Sequence, residues 1–207
     1  MSTKIIWMRH ADKKFDNGKA PFGYYQHDSP LKEDINEKIY DKVELLIEKY
    51  GFPNHIICSP FLRARQTKNH MLVKLKEIDE IKTEDLTITY DTNISEFLGF
   101  QKPIGVPADI EHETQSYFKE TVLLGERLKN LNFRVKEHID NLISYDNIKE
   151  KCTWVITHGI VINNIYYELY KKQGDKKENK KRPESLSHLY LKINTQNESF
   201  VMDETYL

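Results

Sequence analysis

Short apolar runs separated by polar, glycine and proline residues set the first picture of this chain. Residues 3–8 (TKIIWM) form an apolar run that ends at Arg9-His10 and reads as a buried strand. Residues 11–30 are rich in Gly, Pro, Asp and Asn and read as a long loop. Ile35, Ile39, Val43, Leu46 and Ile47 then recur at helical spacing, and Gly51 with Pro53 stops that helix. HIIC (55–58) predicts a second buried strand. Ser59-Pro60 is expected to open the next helix, with Ser as its N-cap and Pro at its first position. LTITY (86–90) predicts a third strand, of alternating character. About residues 97–115 read as a loop or lid insertion, since 99–115 hold glycine, three acidic residues and two prolines. Leu128, Leu131, Val135, Ile139 and Leu142 give a long amphipathic helix. CTWVIT (152–157) is a fourth buried strand, followed by His158-Gly159 and a helix over 160–170. HLYLKI (188–193) and SFVM (199–202) read as a closing hairpin or edge strands.

Strands alternate with helices from start to end, without an internal repeat. The expected fold class is α/β, a layered domain whose largely parallel central sheet is covered on both faces. Its 207 residues fit a single domain over 1–207.

Composition narrows the partners. A formal net charge of -1 removes any argument for bulk attraction to nucleic acid or to an anionic membrane. KKQGDKKENKKRPE (171–184) contains acids and no aromatics, so it reads as a charged surface loop rather than a nucleic-acid patch. No apolar run approaches the roughly 20 residues that would span a bilayer. MSTKIIWMRHADKK has too short an apolar stretch for a signal peptide. Cys58 and Cys152 each border a strand and read as reduced core thiols, so the expected setting is cytoplasmic. No cysteine or histidine pair has zinc-ligand spacing, and neither a metal nor a cofactor is expected.

Four groups of polar residues fall in equivalent places. Arg9-His10 follows the first strand, and Ser59 with Arg63 follows the second. Glu96 lies a few residues after the third, and His158 follows the fourth. In open α/β sheets sites form outside the carboxyl ends of the strands, so these residues can converge at one rim. Two histidines and two arginines there make an electropositive pocket. Arginine matches phosphate oxygens in bidentate fashion, and a neutral histidine is a competent nucleophile. Phosphoryl transfer needs mainly positioning and charge stabilisation. Arg9 and Arg63 can supply the charge, assisted by a protonated His158. Gly159 lets an anion approach the start of the following helix. Glu96 is the candidate for protonating the leaving oxygen, with Glu111 and Glu113 as alternatives. Ser59, Arg63 and Thr67 are spaced for one helical face, whereas Arg65 points about 200° from Arg63. Lys13 is a further candidate phosphate ligand. The remaining histidines, among them His138 and His188, are expected at the surface or as caps.

These segments together resemble the histidine phosphatase superfamily, in the branch that includes cofactor-dependent phosphoglycerate mutases. MRHADK carries Arg9 and His10, SPFLRARQT carries Ser59, Arg63 and Thr67, ISEF carries Glu96, and THG carries His158 and Gly159. DSPL (28–31) resembles the family's Asp-x-Pro-Leu segment, and GERLKNLNFRV its Gly-Glu-Ser helix, with Glu126, Arg134 and Val135 in register. The resemblance runs from residue 4 to about residue 165. It implies a three-layer α/β/α sandwich. It also implies that His10 attacks phosphorus, that Arg9, Arg63 and His158 hold the phosphoryl oxygens, and that water hydrolyses the phosphohistidine. Ala11 replaces the glycine usual after the histidine, and Arg127 the serine of the Gly-Glu-Ser segment. Lys13 stands where a tyrosine-phosphatase-like branch has another arginine. The differences favour a phosphatase acting on a phosphorylated small molecule or phosphoprotein. A phosphoglycerate mutase and a non-catalytic phosphate-binding domain are the alternatives.

Overall fold

An apolar run with no alternation needs cover on both faces, and the sheet provides it. The structure, a computed structural model, describes residues 2–16, 28–98, 126–144, 152–173, 183–194 and 200–203. Strands β1 (Ser2–Arg9), β2 (His55–Cys58), β3 (Thr87–Tyr90), β4 (Cys152–Thr157), β5 (His188–Asn194) and β6 (Phe200–Asp203) form one sheet in the order β3-β2-β4-β1-β5-β6. The first four in that order are parallel. β5 runs antiparallel to β1 and to β6, so the predicted closing hairpin forms one end of the sheet. β4, in the middle, is buried at every residue. β3 is the other edge, with Thr87, Ile88 and Thr89 exposed.

Successive side chains of a strand point to opposite faces, and that alternation divides the core into two layers. Ile6, Met8, Ile56, Trp154 and Ile156 pack under α1 (Asn36–Tyr50) and α2 (Leu62–Ile78), meeting Ile39, Val43, Leu46, Met71 and Leu75. Ile5, Trp7, Ile57 and Val155 pack on the opposite side against α4 (Leu128–Ser144) and α5 (Gly159–Gln173), meeting Leu131, Val135, Ile139, Ile162 and Ile165. A short α3 (Glu80–Glu84) links α2 to β3. The result is a three-layer α/β/α sandwich.

Several expectations are corrected. Ser59 is not a helix cap: α2 starts at Leu62, Phe61 occupies its N-cap, and no side chain of that residue caps it. The helix after His158 begins at Gly159 and continues to Gln173, which takes Lys171, Lys172 and Gln173 out of the predicted charged loop. Residues 174–182 of that loop, residues 99–115 of the predicted lid, and with them Glu111 and Glu113, lie outside the described residues. His138 and His188 are not surface residues; both are buried. His138 accepts from Trp7 Nε1 at 3.0 Å and pairs with Asp91 through Nδ1 at 2.6 Å. His188 lies between Lys42 Nζ at 2.8 Å and the Tyr50 hydroxyl at 3.0 Å. Burial without such partners would leave the imidazole nitrogens unsatisfied. Cys58 and Cys152 are free buried thiols, and burial pushes them up to about 12 and about 11 respectively. Among the described residues no helix is long and apolar enough to cross a membrane.

Candidate active site

The parallel strands deliver their last residues to one rim, and short main-chain bonds fix the first residue beyond each strand. His10 N donates to Thr157 O at 2.9 Å, Ser59 N to Ile156 O at 2.9 Å, and Asp91 N to Cys58 O at 3.1 Å. Ala11 N donates to Thr67 Oγ1 at 3.0 Å, and that hydroxyl donates to Arg63 O at 2.8 Å. Thr67 therefore ties the loop after β1 to the first turns of α2. Ala11 is fully buried without displacing this contact, so the methyl group in place of a glycine hydrogen is accommodated.

Arg63 is the centre of the site. It is fully buried, and its three nitrogens go to three different residues. Nε donates to His10 Nε2 at 3.1 Å, Nη1 to Asp28 Oδ1 at 3.1 Å, and Nη2 to Glu96 Oε2 at 3.0 Å. A planar fork suits this division of donors, and a point charge would not. The guanidinium also lies 4.9 Å over the Phe61 ring.

The His10 ring has its two nitrogens in distinct roles. Nδ1 is 2.7 Å from Ala11 O, an acceptor only, so Nδ1 carries the proton. Nε2, facing Arg63, keeps its lone pair. Burial first, and then Arg63, push the His10 pKa well below the usual histidine value, so the ring is neutral at neutral pH. His158 sits beside it, with ring centroids 5.2 Å apart. Its pKa is also driven well below the usual value, by burial and then by Arg63. The expectation of a protonated His158 is thereby corrected: a third positive charge in a buried site beside Arg63 is too costly. His158 Nε2 is 2.8 Å from Ser59 Oγ, and Nδ1 is 3.6 Å from Glu96 Oε2.

Glu96 is carried by a loop that α4 holds down. After β3 a single turn, Thr92–Ile94, leads to it. Thr157 Oγ1 donates to Ile94 O at 2.6 Å, and Arg134 Nη1 to Asn93 O at 2.6 Å. Arg134 is held in turn by both oxygens of Glu126, at 2.6 Å and 3.1 Å. Asp91, at the foot of this loop, pairs with His138.

Asp28 is a site residue to which sequence reading gave no role. Both its oxygens lie 2.9 Å from Leu62 N, so a residue from a distant loop supplies the cap that α2 lacks. The same carboxylate binds Arg63. Burial raises its pKa to about 6 against the opposing pull of Arg63, and it remains an anion at neutral pH. The DSPL and Gly-Glu segments were the only signals for Asp28, Glu126 and Arg134; their pairings are not visible in spacing.

Arg9 and Lys13 stand at the border. Arg9 Nη1 donates to Pro183 O at 2.7 Å, and its charge reaches both histidines. Lys13 Nζ lies 3.8 Å from Asp16, and its field contributes least to the depressed His10 pKa. Gly159 is buried at the first position of α5, where main-chain N–H groups and the helix dipole favour an anion.

His10, Glu96 and His158 bring one ligand atom each to within 4.8 Å of one another, a set that could hold a metal. The guanidinium of Arg63 already donates to two of these three residues. A divalent cation would have to displace these bonds beside a fixed positive charge. An anion meets Arg63, Arg9 and two neutral imidazoles. The donor set fits a phosphoryl group better than a metal ion.

Known proteins share this fold. No curated protein matches the chain in sequence. The fold is shared with a mycobacterial glucosyl-3-phosphoglycerate phosphatase at 18% identity, covering 100% of this chain and 99% of that one, with a TM-score of 0.62. It is shared with a putative alpha-ribazole-5'-P phosphatase from Escherichia coli K-12, at 15% identity and TM-score 0.63 over 99% of this chain and 97% of that one. It is shared also with a phosphoglycerate mutase from Bacillus anthracis, at 17% identity and TM-score 0.64 over 99% and 92%. The family model of the histidine phosphatase superfamily, branch 1, matches residues 5–201, and the chain belongs to that superfamily.

Proposed function

We propose that this protein is a metal-independent phosphatase that hydrolyses phosphate monoesters through a phosphohistidine on His10. One observation carries the reading: the Nδ1 contact with Ala11 O at 2.7 Å leaves Nε2 bare, neutral and beside Arg63. In the first step His10 Nε2 attacks phosphorus and the P–O bond to the leaving group breaks. Arg63 and Arg9 neutralise the equatorial oxygens, and Glu96 passes a proton brought in by the monoanionic phosphate ester to the leaving oxygen. In the second step water attacks the phosphohistidine and passes a proton to Glu96. The N–P bond then breaks and its electrons return to Nε2. His158 and the N-terminus of α5 at Gly159 contribute donors to the phosphoryl oxygens, and Lys13 adds positive potential at the border. The mycobacterial phosphatase that shares the fold has a structure in complex with VO3, a phosphate mimic, which suits such a pocket.

The substrate is a phosphorylated small molecule or a phosphoprotein, and the protein acts as a single domain. Its two free buried thiols fit a reducing, cytoplasmic setting. The deciding assay is release of inorganic phosphate from p-nitrophenyl phosphate in EDTA, set beside mutase turnover of a phosphoglycerate. Hydrolysis that survives the chelator with no mutase turnover is expected. Activity lost on chelation and restored by a divalent ion contradicts the reading, and dominant mutase turnover replaces it with phosphoryl transfer between acceptors.

Glu96 makes a graded prediction. General acid catalysis is worth roughly 10²–10⁴-fold, and a leaving group that is already acidic needs little of it. Glu96→Gln should therefore slow hydrolysis of an alkyl phosphate far more than that of p-nitrophenyl phosphate. Steady-state kcat on the two substrates checks this. An equal loss on both would remove Glu96 from the role and turn attention to Glu111 and Glu113.

A further inference from the structure

The His158 ring is neutral and buried, so one of its two nitrogens carries a proton and the other does not. Which one is decided by its neighbours, and the neighbours are few. Ser59 is fully buried at the end of β2. Among the described residues its hydroxyl has two contacts: His158 Nε2 at 2.8 Å and the main-chain N–H of Phe61 at 3.5 Å. The Phe61 N–H can only donate. The proton of the Ser59 hydroxyl therefore has one acceptor within reach, His158 Nε2. If Nε2 carried the ring proton, the Ser59 proton would be buried with nowhere to go, which is the costly form of a polar group.

The other ring nitrogen points the same way. Among the described residues the buried His158 Nδ1 has no hydrogen-bond partner. It belongs to the cluster formed with His10 and Glu96. The edge contact of Phe61 with the ring, at 5.0 Å between centroids, holds the imidazole in that orientation. An unpaired N–H pointing there would find an acceptor when a phosphoryl oxygen arrives. An unpaired lone pair would repel that oxygen.

We propose that Ser59 is a positioning residue that fixes the tautomer of His158, leaving Nε2 bare and presenting Nδ1–H to the phosphoryl group. The two histidines are then the same tautomer, fixed by a main-chain and a hydroxyl neighbour, but turn opposite nitrogens to the phosphoryl group. His10 offers a lone pair and His158 offers a proton. The inference rests on the phosphohistidine reading for its purpose, though not for the protonation state itself.

The test is heteronuclear NMR of the whole protein with nitrogen-labelled histidine, because ring nitrogen shifts distinguish a bare nitrogen from a protonated one. In the wild type His158 should show a bare Nε2 and a protonated Nδ1. This measurement needs no variant, so a misfolded mutant cannot obscure it. Ser59→Ala should shift His158 toward the Nε2–H form, weaken vanadate binding and lower kcat/KM roughly 10- to 100-fold. Ser59→Thr should restore the tautomer and most of the lost rate. Phosphoenzyme should still form on His10 in Ser59→Ala, which separates this proposal from the chemistry beneath it. An Nε2–H His158 in the wild type overturns the proposal. So does a Ser59→Ala protein whose tautomer and kcat/KM are unchanged. Absence of phosphoenzyme in the wild type would overturn the phosphohistidine reading instead, while the NMR result would still decide the tautomer.

Discussion

His10→Ala should reduce phosphate release to background, a loss on the order of 10⁶-fold in kcat. The residue forms the covalent bond to phosphorus, and no neighbour can take its place. His158 presents its ring from the other side with a different nitrogen, and its Nε2 is occupied by Ser59. The protein should remain folded, because the backbone at this position is held independently. His10 N still donates to Thr157 O, and Ala11 N to Thr67. The local cost is the lost acceptor for Arg63 Nε, about 1–3 kcal/mol. Steady-state assays beside a thermal melt would check both halves. Activity within tenfold of wild type in the folded variant contradicts the assignment.

Arg63→Met should lower kcat/KM by roughly 10³–10⁵-fold, the range over which a charge-stabilising arginine acts in phosphoryl transfer. It should also destabilise the fold by about 3–5 kcal/mol, since a buried ion pair loses one partner. The reason is specific: Asp28 and Glu96 are both buried and both held by this guanidinium. Without it the Asp28 carboxyl should move above its value of about 6, because the opposing pull of Arg63 is gone. The His10 pKa should rise too, since Arg63 is the second cause of its depression after burial. Arg63→Lys should recover little of the rate. A single ammonium cannot serve His10, Asp28 and Glu96 at the three separate angles that the fork provides. Kinetics, chemical denaturation and histidine titration by NMR read these effects separately. Full recovery by lysine would contradict the geometric part of the argument.

The strands were legible because each buried run, 3–8, 55–58 and 152–157, holds consecutive apolar residues and is followed directly by a polar one. That reading placed Arg9, His10, Ser59 and His158 at strand ends, and the parallel order of β2, β4 and β1 then brought them to one rim. Ser59 shows where such reading stops. A serine before a helical segment can cap it or serve another residue, and the choice was made by His158, which is 99 positions away. Asp28 is the complementary case, a cap for α2 supplied from 34 residues upstream. The braces behind Glu96, Arg134 with Glu126 and His138 with Asp91, were hidden for a related reason. A buried histidine or arginine looks like a surface one until its partner is known. The cluster of His10, Glu96 and His158 has no signature in residue spacing, and it was the position of each residue after a different strand that pointed to their meeting.

The most direct test of the account is to trap the reaction intermediate. Wild-type protein mixed with phosphate-labelled substrate and quenched in base within the first turnovers should carry label that is stable to alkali and labile to acid. Peptide mapping should place that label on His10, with the phosphorus on Nε2, and none should be found on His10→Ala. An unlabelled enzyme that nonetheless turns over, label on a residue other than His10, or label persisting in His10→Ala would contradict the central claim.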